Sequence, residues 1–124
     1  MLRTGVDIIE VKRIDRAILR HGDRFFGRFF TFRELIDAGG RTPALAARFA
    51  AKEAVAKALG SGIGEVGWKE IEILKNPHGE PALQLHGAAR SRAEALGLRE
   101  WAVSITHTHE HAMAVVIATA EGLP

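Results

Sequence analysis

Hydrophobic and polar positions along this chain fall into patterns that predict nearly every element. Residues 2–9 read as a short first strand, with Val6, Ile8 and Ile9 as its β-branched content. On such a strand Asp7 faces opposite to Val6 and Ile8, away from a core they help to build. From Glu10 to about His21 the spacing is helical, with Val11, Ile14, Ile18 and Leu19 directed inward. A second short helix covers Asp23 to Phe30. Thr31 caps a third, Phe32 to Ala38, whose Glu34 completes a capping box and which ends at Gly39-Gly40.

The longest helical stretch opens just after Pro43 and closes on the glycines of Gly60-Ser61-Gly62-Ile63-Gly64. At about 100° per residue, Leu45, Phe49, Val55, Ala56 and Leu59 share an arc roughly 120° wide. Arg48 and Lys52 project from that same apolar arc, while Glu53 and Lys57, also i to i+4, lie beside it. Two readings stay open on spacing alone. The cations snorkel along a core helix beside a weak surface pair, or three cations and a carboxylate surround a polyanion that carries a metal.

Beyond it, Trp68 to Lys75 alternates, with Ile71 and Ile73 on one side and Glu70 and Glu72 on the other. Asn76-Pro77-His78-Gly79 is a turn, and Pro81 to His86 returns as the partner strand. Ala88 to Leu96 is a helix ended by Gly97. Trp101–Thr106 and Ala112–Thr119 are two more strands. There is no internal repeat or linker. The whole predicts one α+β domain over residues 1–124, with helices packed on one face of a mostly antiparallel sheet.

Composition narrows the function classes. No apolar run approaches the roughly 18 residues of a membrane span. Asp7 interrupts the N-terminal stretch that a signal peptide would need, so a cytoplasmic protein is expected. Cysteine is absent, which excludes thiolate chemistry and disulfides. Net charge is only +2, but Lys12 to Arg33 holds Lys12, Arg13, Arg16, Arg20, Arg24, Arg28 and Arg33 against Asp15 and Asp23. The rest of the chain is therefore net acidic. If the first two helices run nearly continuously, Arg16, Arg20, Arg24 and Arg28 form one stripe. An acidic partner fits it. Nucleic acid is only a weak candidate for that partner, because the phenylalanine doublets suit packing rather than base stacking and no groove-reading motif is present. His107, His109 and His111 alternate and would share a side of an extended chain, which raises a zinc site as an alternative to plain exposure.

Three segments together resemble the small holo-acyl-carrier-protein synthases, the group I 4′-phosphopantetheinyl transferases. Their first signature stands here as Gly5-Val6-Asp7-Ile8-Ile9-Glu10 followed by Arg13-Ile14, their second as Arg48 through Gly62, and their third as Val103-Ser104-Ile105-Thr106-His107-Thr108. The resemblance implies Mg²⁺ held by Asp7 and Glu53, with both carboxylates counted as catalytic. It places Lys52 and Lys57 at the phosphates of coenzyme A. Arg48 and His107 fall near the nucleotide's phosphate end, and Gly60 and Ser61 with the cofactor. It further implies transfer of phosphopantetheine to a serine of apo acyl carrier protein, docked on Arg13, Arg16, Arg20, Arg24 and Arg28, by a homotrimer with sites between protomers. The general base is left open between Glu53, a water at the metal and His107.

Overall fold

The structure, a computed structural model, describes residues 1–121; the last three residues of the expected 1–124 domain lie outside the described residues. A strand, β1 (Leu2–Glu10), leads directly into helix α1 (Val11–His21). Helices α2 (Asp23–Phe29), α3 (Phe32–Ala38) and α4 (Thr42–Leu59) follow. A 3-10 turn at Trp68–Glu70 precedes the hairpin β2 (Ile71–Lys75) and β3 (Pro81–Leu85), then helix α5 (Gly87–Ala95) and strands β4 (Glu100–His107) and β5 (His111–Thr119). Among the described residues the five strands pair antiparallel. One sheet has the order β1-β5-β4, and β2-β3 stands as a separate ribbon. Helices against antiparallel sheets make this an α+β fold, as the pattern predicts.

The chain is built around α4. Its 18 residues extend about 27 Å and pack on β1, β4, β5, β2, α1, α3 and α5. The arc of apolar positions therefore understates its burial. Ala46, Ala47, Ala50, Ala51, Ala54 and Ala58 are buried as fully as Leu45 and Leu59. Alanine is what lets neighbours approach from every side, and nowhere more closely than at Gly5. A Cβ there would sit 1.8 Å from the Ala54 carbonyl oxygen, so only glycine admits β1 at this distance.

Four expectations are corrected by the packing. First, β1 lies the other way up. Gly5 and Ile9 face α4, and Asp7 shares that face, whereas Val6 and Ile8 are 53% and 61% exposed. Together with Leu2, Met113, Val115 and Ile117 they make an open apolar face on the far side of the sheet. Second, Leu19 does not turn inward but is 87% exposed; Val11 and Ile14 carry the buried side of α1.

Third, α1 and α2 are not continuous. Gly22, at φ 55°, ends α1 and redirects the chain, so the four arginines do not form one stripe. Fourth, the alternation of β2 does not separate a buried side from an open one, since Glu72 is buried as well as Ile71 and Ile73. Glu72 accepts a hydrogen bond from the Thr31 hydroxyl (2.6 Å) and lies 3.1 Å from His86 Nε2. Burial alone would raise its pKa, but these partners hold it below the ordinary range. The Thr31 capping box forms as predicted.

Candidate active site

Glu53 stands on α4, and Asp7 reaches the same region from β1 because its face of the strand is the one packed on the helix. Burial raises the pKa of Glu53, the nearby charge of Asp7 raises it further, and Lys57 works against both. Lys57 Nζ donates to the Val6 carbonyl (2.9 Å) and to Asp7 Oδ1 (3.2 Å). The structure thus pairs Lys57 with the strand carboxylate, although the helical spacing offered it Glu53. Two like charges held together, one lysine partly offsetting them, make a set of hard oxygen donors suited to Mg²⁺. One turn on, Gly60 ends α4 in the left-handed conformation (φ 73°), and the Ser61 hydroxyl is buried without a partner. Arg3 and Arg92 cap this end of the helix through Ala58 O and Leu59 O.

A second region is cationic. Arg41, Arg48, Lys75 and His107 line one pocket of about 200 Å³ together with Gly79, Pro81 and Ile105. Arg48 is buried, with Nε donating to Ile73 O (3.1 Å) and Nη1 to Ala44 O (3.2 Å). Desolvation lowers its pKa against the pull of Glu34 and Asp37. From Arg48 to Glu53 the helix turns by roughly 140°, so the carboxylates and the cationic pocket open in different directions.

Lys52 is not part of either region, which corrects the expectation that it meets a phosphate. Its ammonium is fully buried and donates to Glu34 Oε1 (2.7 Å), Trp68 O (2.9 Å) and Ile71 O (2.6 Å). All three protons are in use. Burial pulls its pKa down, against the attraction of Glu34. Glu34 is equally satisfied, accepting also from the amides of Thr31 and Ile73 (both 2.9 Å). Neither the snorkelling lysine nor the phosphate ligand describes it.

The arginines of α1 and α2 divide between two depressions. Arg13, Arg24 and Arg28 border a groove of about 480 Å³ whose apolar lining includes Ile14, Phe25 and Phe49. Arg16 and Arg20 border a neighbouring one with Leu19, and Arg13 is common to both. Ile9 and Phe49 bring the first groove next to the carboxylates. Ile9 follows Asp7 by two residues on one strand face, and Phe49 precedes Glu53 by one turn. As for zinc, no group of three His, Cys, Asp or Glu among the described residues could hold a metal ion, and of the alternating histidines only His107 lines the cationic pocket. Arg41 and Lys75 escaped the sequence reading. Each is a lone cation at the edge of an element, and nothing in local spacing separates it from ordinary surface charge.

A family model of the 4′-phosphopantetheinyl transferase superfamily matches residues 3–116. The chain belongs to that superfamily. All three signature segments of this phosphopantetheinyl transferase lie inside the matched range. It is 47% identical to the holo-acyl-carrier-protein synthase of Herpetosiphon aurantiacus, over 94% of this chain and 98% of the relative. It is 48% identical to that of Dehalococcoides mccartyi, over 95% and 98%. Among solved structures, the Helicobacter pylori synthase in complex with coenzyme A superposes with a TM-score of 0.86 at 31% identity, covering 94% of this chain and 99% of the other. The Neisseria meningitidis synthase gives 0.85 at 35%, covering 94% and 97%.

Proposed function

We propose that this chain moves 4′-phosphopantetheine from coenzyme A to a serine of apo acyl carrier protein, releasing adenosine 3′,5′-bisphosphate. The observation that carries this reading is that α4 lies between a carboxylate pair, its own Glu53 with Asp7 of β1, and a separate pocket lined by Arg41, Arg48, Lys75 and His107. Coenzyme A needs both kinds of site, a reacting pyrophosphate and a distant phosphate-bearing nucleotide. Asp7 and Glu53 are the residues that would hold Mg²⁺, which when bound supplies neutralisation of pyrophosphate charge. Lys57, half-exposed beside Asp7, is free to turn a donor toward a phosphate. Arg48 with His107, joined by Arg41 and Lys75, receives the nucleotide's phosphate end. In the transfer the serine oxygen bonds to the β-phosphorus and the oxygen of the departing nucleotide phosphate leaves. Glu53, whose environment raises its proton affinity, is the carboxylate better suited to take the serine proton.

The carrier docks, in this reading, on the groove bordered by Arg13, Arg24 and Arg28. Its apolar floor and cationic rim suit an amphipathic acidic helix, and it leads to the carboxylates. Arg16 and Arg20 extend the same positive field.

A homotrimer with coenzyme A between protomers agrees with two features. The two halves of the site open in different directions on one chain, and the apolar sheet face at Val6, Ile8, Val115 and Ile117 is uncovered. The number three comes from the family resemblance. No helix among the described residues is long and apolar enough to cross a membrane, and the cytoplasm is the proposed setting.

Incubation with coenzyme A, Mg²⁺ and an apo carrier protein, followed by intact-mass measurement, tests the reading. A gain of one phosphopantetheine on the carrier serine, lost when Mg²⁺ is chelated, is expected. An unmodified carrier, with a known synthase converting it in parallel, would overturn it.

A further inference from the structure

Strand β2 has a partner on one side only. In its register with β3, Ile71, Ile73 and Lys75 stand opposite Leu85, Leu83 and Pro81. Pro81 has no N–H to give, and the alternation of an antiparallel ladder leaves the amides and carbonyls of all three β2 residues facing away from β3. That edge would be bare backbone. It is instead occupied by side chains. Lys52 donates to Ile71 O (2.6 Å), and Glu34 Oε2 accepts from Ile73 N (2.9 Å). Arg48 donates to Ile73 O (3.1 Å), and Asp37 Oδ2 accepts from Lys75 N (2.8 Å). Two carboxylates from one face of α3, at i and i+3, and two cations from α4, at i and i+4, together stand in for a missing strand.

The last of these bonds bears on chemistry. Lys75 is the final residue of β2, and beyond it the turn carries Gly79 and Pro81 into the same pocket that Arg41, Arg48 and His107 line. Asp37 is the acceptor that holds this end of the strand, and it contacts no other part of the pocket's lining by hydrogen bond among the described residues. We propose that Asp37 is a positioning residue for the cationic pocket. By holding the Lys75 amide it fixes where the Lys75 ammonium points, and so sets the affinity for the 3′-phosphate of coenzyme A. The proposal rests on the reading that this pocket receives that phosphate.

Asp37 exerts two opposed effects on an anion, and they are separable. Its acceptor oxygen places a cation, while its negative charge, close enough to act on Arg48, repels the phosphate. Asparagine keeps the acceptor and removes the charge; alanine removes both. Steady-state kinetics with coenzyme A and with dephospho-coenzyme A, which lacks only the 3′-phosphate, distinguish the two. Asp37→Ala should raise the KM for coenzyme A about tenfold, the scale of one charge-assisted contact. Its kcat, and its KM for dephospho-coenzyme A, should stay at wild-type values. Asp37→Asn should match the wild type or bind coenzyme A more tightly. In a Lys75→Ala background, Asp37→Ala should add nothing, since the residue it positions is gone. Should the alanine variant fail to fold, Asp37→Leu fills the volume without accepting a bond and reads the same.

Alanine and asparagine variants that move together would reduce Asp37 to a charge and overturn the proposal. So would an alanine effect that is equal on both coenzymes, or that persists undiminished without Lys75. A wild-type protein indifferent to the 3′-phosphate is a different result. It removes the phosphate pocket itself, and the role of Asp37 with it.

Discussion

Lys52 and Glu53 are adjacent in sequence, about 100° apart around α4, and they show two opposite uses of a charge. Lys52 is sealed in, and every proton of its ammonium has an acceptor. Glu53 is half-buried next to a second carboxylate, and its surroundings disfavour the ionised form. On the Lys52 side the charge is cancelled within the fold and ties α3, α4 and β2 together. On the Glu53 side the charge is left over. A folded chain that leaves like charges together bears a cost that a bound cation can relieve, which supports the proposal that the second side is the working one.

The sharpest way to break the comparison is at Lys52. Replacing it with methionine strands Glu34 in the core, at a cost of about 3–5 kcal/mol, read as a fall in stability to chemical denaturation. Adding Glu34→Gln to Lys52→Met should recover part of that loss. A methionine variant as stable as the wild type would show that the pair does not anchor α4.

Glu53→Gln and Asp7→Asn should do the reverse. Neither strands a partner in the core, so melting should change little, while transfer should fall on the order of 100-fold, the scale of losing one preorganised charge at a phosphoryl centre. Turnover within a fewfold of wild type in both variants would move the reaction elsewhere.

The smallest effect is one of pH. Because the folded pKa of Glu53 lies above its ordinary 4.5, its contribution to stability is full below that value and is lost as pH climbs through the raised one. Relative to wild type, Glu53→Gln should therefore gain stability as pH rises from about 4.5 toward neutrality. Mg²⁺ should stabilise the wild type in that upper range and not below it. Melting curves across pH, with and without the ion, check both; a gap between the two proteins that ignores pH would contradict the cause assigned to the shift.

What could be read in advance divides along the same line. The capping box at Thr31, the glycine stop at Gly60 and the hairpin around Asn76–Gly79 depend on short-range chemistry, and each was legible. The roles proposed for Asp7 and Glu53 come only from the resemblance, since an isolated Asp beside Val6 and Ile8 has every local reason to face water. Periodicity read the apolar face of β1 correctly as a face but put the core on the wrong side of it. That stretch has apolar content on both sides of the strand, and Gly5 gives no hydrophobic signal for the side that is buried. Lys52 was misassigned for a related reason. An alanine-rich helix carries almost no record of which flank lies deepest, and the partner that neutralises Lys52 is 18 residues away.

Gly5 itself sets a dimension. With the Ala54 carbonyl where a methyl group would need to be, β1 rests on α4 too closely for any side chain at position 5, and Asp7 rides on that strand two residues later. Any side chain at position 5 would act as a shim, lifting the strand and widening the gap to Glu53. The separation of Asp7 from Glu53, and so the room between two carboxylates proposed to share a cation, is gauged by a residue that bears no functional group.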